Sequence, residues 1–210
     1  MLDREEHFYQ PSAGHGLKHD PFKSIIGPRP IGWISTVDGY GHRNLAPYSF
    51  FNAFNDAPPI IGFASTGWKD SVANIAATGE FAWNLATAEL AQAMNASSAT
   101  VAAEVDEFGL AGLTAAPSRL IGAPRVLESP VNFECRLTQL LQLRDASGSD
   151  IETWLVLGEV VAVHIDRRVI RDGIYQVTAT RPILRWGGRK DYVTIHPDAM
   201  FEMARPIADA

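Results

Sequence analysis

The stretch from Val131 to Leu143, VNFECRLTQLLQL, constrains the fold more than any other part of the chain. Val131, Phe133, Cys135, Leu137, Leu141 and Leu143 fall on one side of an extended backbone, and Asn132, Glu134, Arg136, Thr138 and Gln142 on the other. Only a strand separates side chains with a period of two, so this reads as a strand with one buried face. Asp145 to Asp150, DASGSD, is turn chemistry. Thr153 to Ile165 follows as the partner strand, long and rich in β-branched residues. The second half of the chain is therefore β, with Tyr175 to Thr178 and Leu184 to Trp186 as further short strands.

The first half carries the same signature in shorter pieces. Residues 1–28 are loop-like, rich in Gly, His and Pro. Arg29 to Val37 reads as a strand ending at Asp38-Gly39, a hairpin signal because a tight turn needs positive φ. Asn44 to Phe54 returns, and Pro58-Pro59 precedes an apolar strand, Ile60 to Ser65. In Asp70 to Thr78, Val72, Ile75 and Ala76 recur at helical spacing, with Gly79 as the stop. Phe81 to Thr87 reads as a strand and Glu89 to Ser97 as a helix. Val101 to Ala116 is loop with one helical turn, and Pro117 to Pro130, with three prolines, is an irregular wrap. Six or more antiparallel strands with two or three short helices point to a closed or nearly closed barrel.

Length and composition narrow the class. The 210 residues suit one domain, or two small ones, and no composition shift marks a boundary. A chain of this length buries roughly 70% of its unfolded surface and needs no disulfide. The single cysteine, Cys135, excludes an intrachain disulfide and suits a reducing, cytoplasmic compartment. The opening MLDREEHFYQ has three acids and no apolar core, unlike a secretory leader, and no apolar run is long enough to span a membrane. Net charge is −6, which argues against nucleic acid as a partner. Residues 163–192 nevertheless hold seven Lys/Arg, Arg189 among them, against three Asp. That excess is either a solvated basic face, the commoner case, or a local attraction for a small anion.

Several chemistries lack their residues. There is no GxGxxG after a strand, no GxxxxGK[ST] and no GxSxG. The histidines are His7, His15, His19, His42, His164 and His196, and the pair His15 and His19 is too few for a metal site. Cys135, on the buried face of its strand, reads as a small core hydrophobe.

Two segments carry possible chemistry. At the strand-to-helix junction Ser65-Thr66-Gly67-Trp68-Lys69-Asp70-Ser71, hydroxyls, a glycine and a lysine meet the free N–H groups and positive end of a helix. A phosphate monoester needs those donors and that cation. A plain helix start, capped by Asp70 or Ser71 with Lys69 in solvent, is the commoner explanation of this feature alone. The second segment, Asn44-Leu-Ala-Pro-Tyr-Ser-Phe-Phe51, mixes polar and apolar residues at no clean period around a proline. Backbone groups off a ladder need partners, and a flat heteroaromatic ring edge supplies them. A bulged edge strand with Phe50 and Phe51 in the core is the plainer alternative.

These residues carry a resemblance. RPIGWISTVDGYGHRNLAPYSFFN followed by KDSVANIAATGEFAWNL resembles the flavin reductase-like family with the FMN-binding split barrel. DEFGLAGLTAAPS, APRVLESPVNFECRL, LVLGEVVAVHID and ILRWGGRKDY agree with it in order and spacing, from about Pro28 to Tyr192. The family usually reads Lys-Asp-Thr where this chain has Lys69-Asp70-Ser71, which keeps the hydroxyl. The resemblance implies a mainly β, six-stranded antiparallel split barrel over residues 29–192, between an N-terminal extension (1–28) and a C-terminal tail (193–210). It implies a homodimer with FMN, or FAD, at its interface. Trp33, Ser35 and Thr36 would then lie beside the flavin. Asn44, Leu45 and Ala46 would offer backbone groups to the ring edge, and Ser49, Phe50 and Phe51 would continue that wall. Ser65, Thr66, Lys69, Asp70 and Ser71 would surround the phosphate.

The activity so implied is hydride transfer from NAD(P)H to flavin, with a partner monooxygenase as one acceptor. The cofactors do the hard chemistry, so no acid–base pair is required of the protein. His164, ending VVAVHID, is a candidate for the nicotinamide side, although a satisfied core or surface histidine is commoner. Arg185 and Tyr192 either close over the cofactor or pack a dimer. An FMN-carrying electron-transfer protein without a nicotinamide step, and an FMN-free binding module, are the alternatives.

Overall fold

A computed structural model describes residues 5–188 and 190–206. The chain enters through one helical turn, α1 (Phe22–Ile25), and continues into β1 (Arg29–Pro30) and β2 (Gly32–Val37). β3 (Arg43–Tyr48), β4 (Phe51–Asn55) and β5 (Ile60–Thr66) precede α2 (Asp70–Thr78) and β6 (Glu80–Asn84). The helices α3 (Ala91–Ala96) and α4 (Glu107–Leu110) follow, then the short strands β7 (Ala115–Ala116) and β8 (Arg125–Val126). β9 (Val131–Arg144) and β10 (Asp150–Ile165) form the long hairpin, and β11 (Ile170–Arg171), β12 (Ile174–Tyr175), β13 (Ile183–Arg185) and β14 (Tyr192–Thr194) complete the described strands.

The principal sheet runs β3-β2-β6-β9-β10-β5-β4, antiparallel throughout. Its two edge strands are consecutive in the chain, separated only by Ser49 and Phe50. Two residues span only about 7 Å. The sheet must therefore curl until its edges nearly meet, which makes a barrel split between β3 and β4. Counted as one bent run, β3 and β4 bring the total to the six strands expected.

Inside the barrel Ile34, Phe63, Phe81, Cys135 and Val156 pack with Val72 and Ile75 of α2. Each such side chain contributes about 1.5–3 kcal/mol on burial. Outside it, Trp33, Leu45, Met94, Phe108 and Val126 form a second cluster beneath α3, α4 and the wrap. β2 is thus covered on both faces, which is why its sequence shows no polar side. Asn84 ties the wrap to the sheet, accepting from Val126 N at 2.8 Å and from Asn132 Nδ2 at 2.9 Å.

Four expectations need correction. The turn after β2 is not a two-residue hairpin. It spans residues 38–42, Asp38 accepts from Tyr40 N and His42 N at 2.8 Å each, and the positive φ falls on Gly41, not Gly39. The long strand changes face midway. Leu137 lies opposite Gly158 and Gln139 opposite Leu157, so Thr138 is an extra residue; beyond this bulge Leu140 packs on the core and Leu141 is 45% exposed. The polar side of β9 is not all solvated either, because the wrap covers Asn132 and Glu134. Finally, Tyr175–Thr178 is no strand. It ends β12 and enters a 3₁₀ turn, Val177–Thr180.

Candidate functional site

A recess of about 360 Å³ opens where β3, the start of α2 and the loop after α3 converge. Asn44, Ala46, Ser49 and Phe50 line it from the β3 side, and Thr66, Lys69, Asp70 and Ser71 from the β5–α2 junction. These eight of the expected binding residues are the ones the fold brings together.

The start of α2 sets the chemistry of this recess. Lys69 occupies the cap position in an extended conformation, and no side chain caps the helix. The expected cap by Asp70 or Ser71 is absent because the Ser71 hydroxyl turns away and donates to Asn44 Oδ1 at 2.7 Å. The first-turn N–H groups are left for another acceptor, at the positive end of the helix and beside an exposed ammonium. Gly67 accepts from the Ser65 hydroxyl at 2.9 Å, which holds the preceding turn.

The segment 44–48 is not irregular, as its composition suggested. It is a full edge strand, paired along its length with β2 and free of a strand on its outer side. Leu45 N points outward, donating to Glu107 Oε2 at 3.1 Å. Pro47, two residues on, shares that outward direction, where a missing N–H costs no ladder bond. The irregularity is confined to Ser49-Phe50, where the chain changes edge. Leu45 therefore offers no free N–H to a ring edge.

Glu107 and Tyr48 line the recess and were missed by sequence reasoning. Glu107 is buried, accepts from Asn44 Nδ2 at 3.1 Å, and lines the recess. Burial pushes its carboxyl above the usual range, aided by the charge of Asp70 and opposed by bonds from Leu45, its own backbone and Asn44. The signal was the capping Asp106, which accepts from Phe108 N at 3.0 Å and makes Glu107 the first residue of a helical turn. Tyr48 packs its ring on Phe63 with centroids 4.4 Å apart. Its hydroxyl is buried and has no hydrogen-bond partner among the described residues, and burial pushes the phenol above its ordinary range. A third missed feature is the hydroxyl-rich loop Ser97, Ser98 and Thr100 on the far wall, legible as NASSAT.

The other expected residues stand elsewhere. Trp33 is wholly buried and donates through Nε1 to Ser97 Oγ at 3.0 Å. Ser35 is buried and donates to the Pro124 carbonyl at 2.5 Å. Thr36 accepts from Asn74 Nδ2 at 3.1 Å, behind Asn44. The Leu45 side chain is core, Phe51 stacks on Trp83 at 5.8 Å, and Ser65 is buried. Arg185 and Tyr192 line a smaller adjoining recess of about 190 Å³ that shares Tyr48, Ser49 and Ser98 with the first, the guanidinium lying 4.6 Å from the Tyr192 ring. His164 faces a different cavity and bonds Glu134. Of the basic segment, Arg168 pairs with Asp166 and Arg181 with Glu89, so these two form no anion patch; Arg189 lies outside the described residues. Cys135 is buried in the core, where desolvation pushes its thiol up and keeps it un-ionised. Among the described residues no group of three metal-ligating side chains comes together, and no helix is long and apolar enough to cross a membrane.

An antiparallel barrel split at one seam is the split-barrel fold of flavin reductases and flavoredoxins. The chain belongs to the flavin reductase-like family, whose domain model matches residues 27–188. It is 33% identical to an uncharacterized protein of Aquifex aeolicus over 177 residues, covering 80% of this chain and 87% of that one. Among solved structures it is similar to nitrilotriacetate monooxygenase component B from Bacillus cereus, with TM-score 0.81, 27% identity and coverage of 97% of this chain and 98% of that one. It is also similar to the 2-nitrobenzoate 2-nitroreductase NbaA of Pseudomonas fluorescens, with TM-score 0.75, 27% identity and coverage of 88% of each chain.

Proposed function

We propose that the chain binds FMN in the recess at the α2 start and acts as an NAD(P)H-dependent flavin reductase. The observation that carries this reading is the uncapped helix start beside Lys69, opening onto a recess lined in part by Tyr48. In this reading the first-turn N–H groups of α2 and the Lys69 ammonium hold the phosphate, and Thr66 and the Ser98–Thr100 loop flank it. The outer edge of β3 and the Ser49-Phe50 turn form the wall for the ring. Tyr48 donates its hydroxyl to the cofactor, which ends its burial without a partner.

A flavin held there would supply the redox chemistry, hydride acceptance from a nicotinamide and onward electron transfer. The protein's part is alignment and charge. The helix end and Lys69 favour the phosphate dianion, and Glu107, held by Asn44 and Leu45, stiffens the wall. The adjoining recess at Arg185 and Tyr192 gives the nicotinamide nucleotide a cation and an aromatic face. FMN is favoured over FAD because a terminal phosphate is what a helix start and one lysine suit. The working unit in this reading is a homodimer in the cytoplasm. Its electrons go to a partner monooxygenase, in keeping with the monooxygenase component among the structural neighbours.

The test is an absorbance scan of the protein with FMN, then with FAD, followed by anaerobic addition of NADH and NADPH. A bound-flavin spectrum bleached by either nucleotide is the expected outcome. A protein that binds neither flavin overturns the reading, and flavin retained but never bleached makes it an electron carrier instead. Lys69→Glu, at an exposed position, is expected to weaken FMN binding about 10- to 100-fold in a fluorescence titration, the loss of one charge-assisted contact, while leaving the melting temperature of the free protein nearly unchanged.

A further inference from the structure

A second cavity, of about 560 Å³, lies away from the flavin recess, between the wrap and the ends of β9 and β10. We infer that this cleft is a small-molecule site for a carboxylate with an apolar body. The inference stands on the cleft itself and not on the flavin reading.

Its floor is cationic and short of acceptors. Glu134, fully buried beneath it, accepts from Arg119 N at 2.7 Å, Leu120 N at 2.6 Å and His164 Nε2 at 2.5 Å. Burial alone raises a carboxyl, but these donors outweigh it and hold Glu134 below the usual range. An ionised Glu134 accepts from Nε2, and the Nδ1 of His164 has no partner among the described residues. The side chain of His164 is 17% exposed and lines the cleft. The one buried acid nearby is thus fully engaged and leaves the guanidinium groups unpaired.

Arg119 and Arg125 both line the cleft, and among the described residues neither forms an ion pair. Arg125 is held in place, donating to Asn132 Oδ1 at 3.1 Å and to the Pro117 carbonyl at 3.0 Å, while its buried Nε has no partner. Burial lowers its affinity for its proton, Glu134 opposes that, and the neighbouring charge of Arg119 adds to it. The Arg119 side chain makes no hydrogen bond among the described residues. Asp166, which lines the cleft, is bound to Arg168 at 2.5 Å and accepts from Arg168 N. Two guanidinium groups that repel each other, with the nearby carboxylates engaged elsewhere, are stabilised by an added anion.

The rim identifies the rest of the ligand. Leu120, Leu127, Val163 and Ile165 are 52%, 59%, 53% and 38% exposed around the polar floor. A bare inorganic anion leaves that apolar ring in water, whereas a carboxylate on an apolar body covers it and places its head against Arg119, Arg125 and His164. The volume suits a ligand of that size. On binding, the carboxylate head lies beside His164. The charged groups facing it are Glu134 on β9, Arg119 and Arg125 on the wrap, and Asp166 just past β10.

Benzoate tests the inference, with benzamide as its neutral isostere and inorganic phosphate as the bare anion. Binding is followed by calorimetry and by the His164 ring resonances, assigned by their loss in His164→Gln, on protein with and without FMN. Benzoate is expected to move the His164 signals in both preparations, benzamide to leave them in place, and phosphate to bind more weakly than benzoate. Arg119→Gln, at an exposed side chain that holds nothing in place, is expected to weaken benzoate at least about fivefold with FMN binding unchanged. Arg125→Gln is the harsher variant, since it also loosens the wrap. Unmoved His164 signals, equal binding of benzamide, or unchanged benzoate affinity in Arg119→Gln would each overturn the inference. Because FMN-free protein is included, failure of the flavin reading leaves this result legible.

Discussion

Tyr48 is the residue where stability and binding pull in opposite directions. Its ring belongs to the barrel core against Phe63, while its hydroxyl is buried near the Ser65 and Ser71 hydroxyls and, among the described residues, meets neither in hydrogen-bond geometry. A buried, unsatisfied hydroxyl costs about 1–3 kcal/mol. Tyr48→Phe keeps the ring and removes that cost, so the free protein is expected to melt at the same or a higher temperature. The same variant deletes a donor from the flavin recess and is expected to weaken FMN by roughly 2- to 10-fold, the value of one neutral hydrogen bond. Melts of the free protein and flavin titrations check both halves. A fall in both quantities would mean the hydroxyl has an internal partner, and an unchanged affinity would remove it from the site. Lys69 was legible as a residue of the candidate recess because its neighbours form a local pattern. Tyr48 and Glu107 were not, because their importance comes from burial by segments remote in the chain.

Among the elements, those governed by local rules were read best. α2 occupies Asp70–Thr78 and stops at Gly79, as its spacing and terminal glycine require. The β9–β10 hairpin was legible as an alternation, yet half its detail was not. Nothing local marks Thr138 as the extra residue that turns Leu141 outward. Nothing local says that the wrap will bury Asn132 and Glu134, because contacts between segments 6 and 15 residues apart decide it. The bulge also explains a glycine. Gly158 sits opposite Leu137 at the point where the register shifts, and a Cβ there would lie 2.6 Å from Phe81 Cζ and 3.1 Å from the Arg136 carbonyl. Phe81 is itself fully buried and cannot retreat without displacing Phe63, 6.0 Å away. Gly158→Ala is expected to cost about 1–3 kcal/mol by overpacking, read as a lower denaturant midpoint at unchanged slope. A variant as stable as the parent would show that Phe81 has room to move.

For the whole molecule, the outer surface of the barrel raises the question of what covers it. β10 is apolar on both faces. Val156 points into the core, while Leu155 and Leu157 face outward and are only partly buried. Across the neighbouring strands Leu141, paired with Leu155, is 45% exposed, and Phe54 on the edge strand β4 is 54% exposed. An apolar outer sheet face ending at an open edge is a surface that associates. In the homodimer proposed above, a second copy of the chain would satisfy it with two-fold symmetry, each copy presenting the same strip to the other. Light scattering is expected to give about twice the 22.9 kDa chain mass. Leu155→Glu places a charge at the centre of the strip and Leu141→Glu at its margin, so both are expected to dissociate the assembly, the first at lower dilution. Neither residue lines the flavin recess, so any loss of FMN affinity in the monomeric variants would measure how much of the site the second copy supplies. A parent protein that is monomeric at micromolar concentration would reserve the strip for a different protein and leave the recess to work within one chain.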